Sequence, residues 1–293
     1  MPTPDADGGL AAADSAPLGR QGEMTLLEHL RELRNRLVIS GLSLGVGMLL
    51  GVAVVQPVYA LLTAPMRLLL IDGGEYPEMD ALYLRLTAPI RSLLPEALTD
   101  LEVQGTLAIT ASPAEGVYTW LRVALLTGAV FAAPIIAFQV WRFIAPGLYK
   151  TERRVVLPLA LSSTMLFFLG AAFAYTVLLP IVFPFFLQVI EVQALLSIDG
   201  YLRSLVRMLL AFGLCFQLPI VVWFLARLGI VDHRDMIQGF RYAVVGMFLI
   251  SAILTPPDLI SQIILGVPML FLYGVSIGIA WFWTTKEPFT AEP

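Results

Sequence analysis

The chain has little of what marks a disulfide-built, metal-binding or charge-driven protein. Its 293 residues include one cysteine, Cys215, so no intrachain disulfide can form, and the position of Cys215 inside an apolar block leaves the redox compartment unread. There are two histidines, His29 and His233. Neither stands at metal-ligand spacing from cysteine, aspartate or glutamate, so no metal and no other cofactor is expected. Charged residues make up only 14%, and the net charge of −4 supports no nucleic-acid partner. Residues 1–22, rich in Ala, Gly, Pro and Asp, lack the apolar surface to fold alone. They also lack the basic start and apolar stretch of a signal peptide, and read as a disordered tail. No internal repeat is visible.

What the chain does have is apolar length. Hydrophobic residues reach 58% and the mean hydropathy is +0.82, in blocks of bilayer-spanning size. A transmembrane barrel needs short segments that alternate apolar and polar, whereas these blocks are apolar all round. The expected spans are Leu37–Val55, Val117–Val140, Val155–Leu179, about Leu205–Ala226, Tyr242–Leu254 and Leu259–Trp283. The fold class is therefore an all-α integral membrane protein of six transmembrane helices with short fifth and sixth helices. Segments 1–36, 141–154, 227–241 and 284–293 hold 12 of the 18 basic residues, which puts both termini on the cytoplasmic side. The outer loop 56–116 carries three basic and eight acidic residues. Residues 23–284 form the membrane domain, and 285–293 a second cytoplasmic tail.

Before the first span, Thr25 and Glu28 make a capping box. Leu26, Leu30, Leu33 and Leu37 then share one stripe, so this stretch is expected to lie along the membrane surface before entering it. GLSLG at Gly41–Gly45 and GVSIG at Gly274–Gly278 match the serine nucleophile elbow but fall in helices, where that strained turn has no place. Close helix packing through glycines four apart is the favoured explanation, and Gly47 and Gly51 repeat the spacing. Arg122 and Arg207 lie near the outer ends of their spans and are expected to snorkel to the headgroups. Gln217 lies deeper; a buried amide serves equally as interhelical glue or as a ligand contact. Asp258, after two prolines, is placed to cap the sixth helix.

Glu28, Glu32 and Glu152 stand among arginines at the membrane surface. Spacing favours local pairing, such as Glu32 with Arg36 at i, i+4. The alternative is that they receive a guest guanidinium, whose planar fork matches a carboxylate.

HLRELRNRL at His29–Leu37, VWRFIAPGLYKTERR at Val140–Arg154, FLGAAFAY at Phe168–Tyr175, and LTPPD followed by SQ at Leu254–Gln262 resemble the TatC family, the receptor subunit of the twin-arginine protein translocase. The similarity runs in order from about Met24 to Trp283. It implies a receptor, not an enzyme, that binds twin-arginine signal peptides of folded proteins. With TatA- and TatB-type single-span partners it would export them across the inner membrane of a prokaryote on the proton-motive force, as part of a homo-oligomeric receptor complex. By position, Glu32, Arg34, Phe143 and Glu152 match the family's signal-peptide-binding residues. Glu32 and Glu152 would accept the guest arginines, Phe143 would pack beside them, and Arg34 would hold the carboxylates' geometry. Pro65 and Asp258 match outer-face positions tied to assembly and transport. Two departures stand out. Gln217 replaces a glutamate common in the family, which removes a titratable group. Leu68–Thr106 also lengthens the outer loop like an insertion. A small-solute transporter would want inverted repeats and broken helices at the midplane, and neither is seen beyond possible kinks at Pro134 and Pro219. An intramembrane hydrolase would need a nucleophile with a base in reach, which loss of function in Ser43→Ala or Ser276→Ala would reveal.

Overall fold

The structure, a computed structural model, describes residues 26–70, 77–91, 108–109, 113–144, 156–183, 196–254 and 259–284. Helices α1 (Leu26–Ala53) and α2 (Val55–Leu70) are separated only by a turn at Val54, and α3 (Pro77–Arg91) follows. Then come α4 (Pro113–Ile144) and α5 (Val156–Phe173), which runs on through a π-helical turn at Ala174–Leu178. The chain continues through α6 (Ile198–Cys215), α7 (Leu218–Arg227), α8 (His233–Gln238), α9 (Phe240–Leu254) and α10 (Leu259–Thr284). The strands among the described residues are β1 (Ala108–Ile109) and β2 (Leu196–Ser197), two residues each, paired in parallel. Backbone polar groups in hydrocarbon must bond within their own segment, which is why apolar length here becomes helix.

Among the described residues, five stretches are long and apolar enough to cross a membrane: Leu30–Ala53, Ala114–Ile144, Val156–Phe183, Ile198–Arg227 and Gln262–Phe282. The sixth apolar helix is shorter: α9 has 15 residues, about 22 Å at 1.5 Å per residue, against a hydrocarbon core of about 30 Å. The expectation of a short sixth helix is not met. No charge interrupts Leu259–Trp283, and α10 extends for 26 residues with Pro268 inside it. A second correction concerns the chain start. The amphipathic stretch and the first span form one unbroken helix of 28 residues, so the stretch is not a separate surface segment.

α1 packs along α4, and glycines set the distance. A Cβ on Gly47 would lie 2.5 Å from the Gly128 oxygen, one on Gly51 2.8 Å from the Ala124 oxygen, and one on Gly128 2.6 Å from the Met48 nitrogen. Small residues that let helix backbones touch are the usual adhesive in lipid. The glycines of the two elbow-like motifs have no such role: Gly41, Gly45, Gly274 and Gly278 face open space. Their serines are spent inside their own helices, Ser43 donating to the Ser40 carbonyl and the fully buried Ser276 to that of Leu272, both at 2.8 Å.

At the opposite end from the arginine-rich stretch of α1, part of the outer loop folds into α2 and α3. Pro65, fully buried inside α2, has no N–H to give the Leu61 carbonyl one turn back. That carbonyl instead accepts from the Tyr175 hydroxyl at 2.5 Å, and the next, Leu62, accepts from the Tyr201 hydroxyl at 2.9 Å. Tyr175 comes from the π-helical turn, where an extra residue per turn rotates the side chains. Tyr83 of α3 packs edge-on against its ring at 5.4 Å. The best-buried core lies alongside, with Leu178, Leu202, Leu205, Phe212, Leu265 and Met269 all sealed from solvent.

Two outcomes test this packing. Gly128→Ala inserts a methyl group against backbone, an overpacking cost of about 1–3 kcal/mol, and should lower the unfolding midpoint in detergent, while Gly45→Ala leaves it unchanged. Equal midpoints would show that the α1–α4 approach is not limiting. Tyr175→Phe strands the Leu61 carbonyl at a cost of about 1–3 kcal/mol. Pro65→Ala restores an N–H partner, so Tyr175→Phe should cost little in that background; simple additivity in the double-mutant cycle would contradict the pairing.

Candidate functional site

The close approach of α1 and α4 brings their charged ends together. Glu32 and Arg36 are one turn apart on α1, and Gln139 is in the last turns of α4. The Arg36 guanidinium donates from one terminal nitrogen to Glu32 Oε1 at 2.9 Å and from the other to Gln139 Oε1 at 3.0 Å. Gln139 is buried, and the Glu32 and Arg36 side chains each keep only 18% of their exposure. Two atoms of this network are sealed from solvent without a hydrogen-bond partner, Glu32 Oε2 and Arg36 Nε. The local i, i+4 pairing that spacing favours is therefore present, and it leaves one carboxylate oxygen unused.

Phe143 is half-buried and follows Gln139 by four residues, so the two share a face of α4. Arg34 is exposed and lies outside this network; the arginine that bonds Glu32 is Arg36, the partner that i, i+4 spacing favours. Glu152 and Asp258 lie outside the described residues, as does Thr25 of the capping box. Pro65 is sealed inside α2 at the far end, where it presents no surface to a partner.

The rest of VWRF fixes the end of α4. Buried Trp141 donates from its indole to the Ser163 hydroxyl of α5 at 2.7 Å and sits edge-on to Phe224 of α7 at 5.0 Å. Arg142 lies over the Phe138 ring at 5.8 Å, a cation–π contact. Trp141 also borders an apolar groove of about 680 Å³ between α4, α5, α6 and α7, whose lining includes Ala133, Phe167, Leu214 and Gln217. A smaller groove of about 270 Å³ continues past Phe167 towards Leu61 and Tyr175.

Gln217 stands at a break in the helix. Pro219 has no N–H for the Cys215 carbonyl, the Gln217 N–H turns to the Leu214 carbonyl at 3.0 Å, and α7 begins at Leu218. From this break the Gln217 amide donates to the Ser163 carbonyl at 2.8 Å. It is thus glue between α7 and α5, and it also lines the groove. The interhelical role, one of the two alternatives left open by the sequence, is therefore present.

The far end holds a group that sequence analysis missed. Asp199, in the first turn of α6, is buried and accepts from Arg122 of α4 and from Arg203 at 2.7 Å. Arg122 pairs with a carboxylate 77 residues away. Arg203 at i+4 was a signal available in the sequence, but Arg122 was not. Ser197 caps α6, accepting from the Gly200 N–H at 3.2 Å, and its hydroxyl donates to Glu115. Arg207 is exposed one turn further on, as snorkelling requires.

The comparisons with known proteins agree with this arrangement. The family model described as "Sec-independent protein translocase protein (TatC)" matches residues 28–268. The chain is 36% identical over 252 residues to the "Sec-independent protein translocase protein TatC" of Desulforapulum autotrophicum, covering 85% of this chain and 82% of the relative. It is 33% identical over 268 residues to that of Aquifex aeolicus, covering 90% and 98%. A solved structure described as "Crystal Structure of Twin Arginine Translocase Receptor- TatC in DDM" superposes with a TM-score of 0.69 at 32% identity, covering 86% of this chain and 99% of its own. With sequence and architecture matched over nearly their whole length, the chain belongs to the TatC family of Sec-independent protein translocase proteins.

Proposed function

We propose that the protein is the receptor of a twin-arginine translocase and captures the arginine pair of a signal peptide at the Glu32 end of the α1–α4 contact. The observation that carries this is the unused Oε2 of Glu32, a buried acceptor with no partner, beside Arg36 and Gln139. A guest guanidinium would supply the missing donor through a charge-assisted bond, roughly twice as strong as a neutral one. Phe143, on the Gln139 face, would pack beside the guest, and Glu152 would take the second arginine. The apolar groove from Val140 to Gln217 suits the apolar part of the peptide. Gln217 carries no titratable proton, so it would act there by hydrogen bonding.

In this reading 23–284 is the membrane domain, with 1–22 and 285–293 as tails. The arginines of α1, Arg142 and Arg227 face the cytoplasm by the positive-inside rule, with both termini on that side. TatA- and TatB-type single-span proteins complete the machine, further copies of this chain share its receptor complex, and the proton-motive force drives transport. Asp258 acts at the opposite face. Pro65, being buried, acts through the shape of α2 rather than by touching a partner.

Purified protein in nanodiscs should bind a twin-arginine peptide at least tenfold more tightly than its twin-lysine version, because a planar, weakly hydrated guanidinium presents a directed N–H to the one unused oxygen where an ammonium is a compact, strongly hydrated charge. Glu32→Gln should erase most of that difference. Equal binding of both peptides would refute the assignment. Separately, α9 is short enough to thin the bilayer beside the receptor and lower the barrier to folded cargo. Five leucines added within α9 should slow export without weakening peptide binding; undiminished export in vesicles would count against this role.

A further inference from the structure

The contact between Arg36 and Glu32 is unusual in being incomplete. An arginine free to choose would fork onto both carboxylate oxygens. Here it spends one terminal nitrogen on Glu32 Oε1 and the other on Gln139, 103 residues away. The result is two sealed polar atoms of opposite sense, the acceptor Glu32 Oε2 and the donor Arg36 Nε, each without a partner. Gln139 holds the second terminal nitrogen, which takes the end-on fork onto both oxygens away from Arg36. The pair is also close to neutral as a unit, so a bare cation gains little from it by Coulomb attraction. A ligand with a directed N–H donor for Oε2 and a carbonyl for Nε gains two hydrogen bonds. An arginine residue within a peptide carries both; a lysine residue shares the carbonyl but offers a compact, strongly hydrated ammonium in place of the planar guanidinium donor.

We propose that Arg36 and Gln139 are positioning residues that set the arginine-over-lysine specificity of the Glu32 site. Gln139 holds Arg36 off one carboxylate oxygen; Arg36 cancels the charge that would otherwise attract any cation and offers its Nε to the backbone of the guest. This rests on the receptor reading above and adds to it the residues that make capture selective.

The two side chains should respond in opposite ways. Arg36→Gln removes the cancelling charge, so a twin-lysine peptide should bind several-fold more tightly than to the parent protein, and the arginine-to-lysine ratio should fall from tenfold or more towards unity. Gln139→Leu frees Arg36 to close over both oxygens and should weaken twin-arginine binding about tenfold. Gln139→Glu, which still holds Arg36, should restore it. In the double variant Arg36→Gln with Gln139→Leu, twin-lysine binding should match that of Arg36→Gln alone, because the closing cation is gone. A loss of packing would lower binding of both peptides together, and unfolding midpoints in detergent report it directly. An unchanged ratio in Arg36→Gln, or parental twin-arginine binding in Gln139→Leu, would overturn the proposal. If Glu32→Gln lowers capture while these variants do not behave so, this assignment fails alone. If Glu32→Gln leaves capture unchanged, the receptor site at Glu32 fails and takes this assignment with it.

Discussion

The contact of Gly47 and Gly51 with Gly128 is the constraint from which the site follows. Lipid tails are as apolar as leucine, so helices in a membrane gain little by hiding apolar surface from one another. They gain by coming close enough for backbone to meet backbone. At the separation these glycines allow, the ends of α1 and α4 are within reach of side chains. A guanidinium on one helix can then bond an amide on the other, as Arg36 bonds Gln139. Widening the contact by one methyl group would work against the network even though every residue in it remained.

The same economy governs polar groups elsewhere in the bundle. A carbonyl without a helical partner is costly where water is absent, and Pro65 creates one deliberately in α2. Tyr175 fills it from a π-helical turn, so a break in one helix and a bulge in another become a single fastening. Asp199 is tolerated under burial because two arginines face it. Gln217, half-buried at the Pro219 break, is held by Ser163, whose own hydroxyl is held by Trp141. Irregular backbone and buried polarity therefore occur together, each satisfying what the other leaves open.

Much of this was legible in the residues. Apolar length gives the crossing helices, the Glu32–Arg36 spacing gives their pairing, and four stretches of residues give the family. Less legible was what lay within the loops and at helix breaks. α2 and α3 form inside a stretch that composition marks only as an acidic loop, because their burial depends on the bundle beneath them. The π-helical turn has no residue signature in FLGAAFAY. α10 is long although the sequence was read as ending in two short helices, because an uncharged run has no internal stop.

The sequence by itself determined that the chain crosses a membrane several times and which residues are polar enough to matter. Helical periodicity fixes which residues share a face. It does not say which face meets which neighbour. Gly41 and Gly45 are spaced like Gly47 and Gly51, yet a shift of six residues turns a helix by a net of about 240°, so one pair meets α4 and the other faces away. Only the tertiary structure decides that rotation, since backbone contact between helices is a property of the pair. The partners of Glu32, Arg122 and Leu61 were decided there too, because each bond spans helices whose relative depth and rotation no single helix encodes.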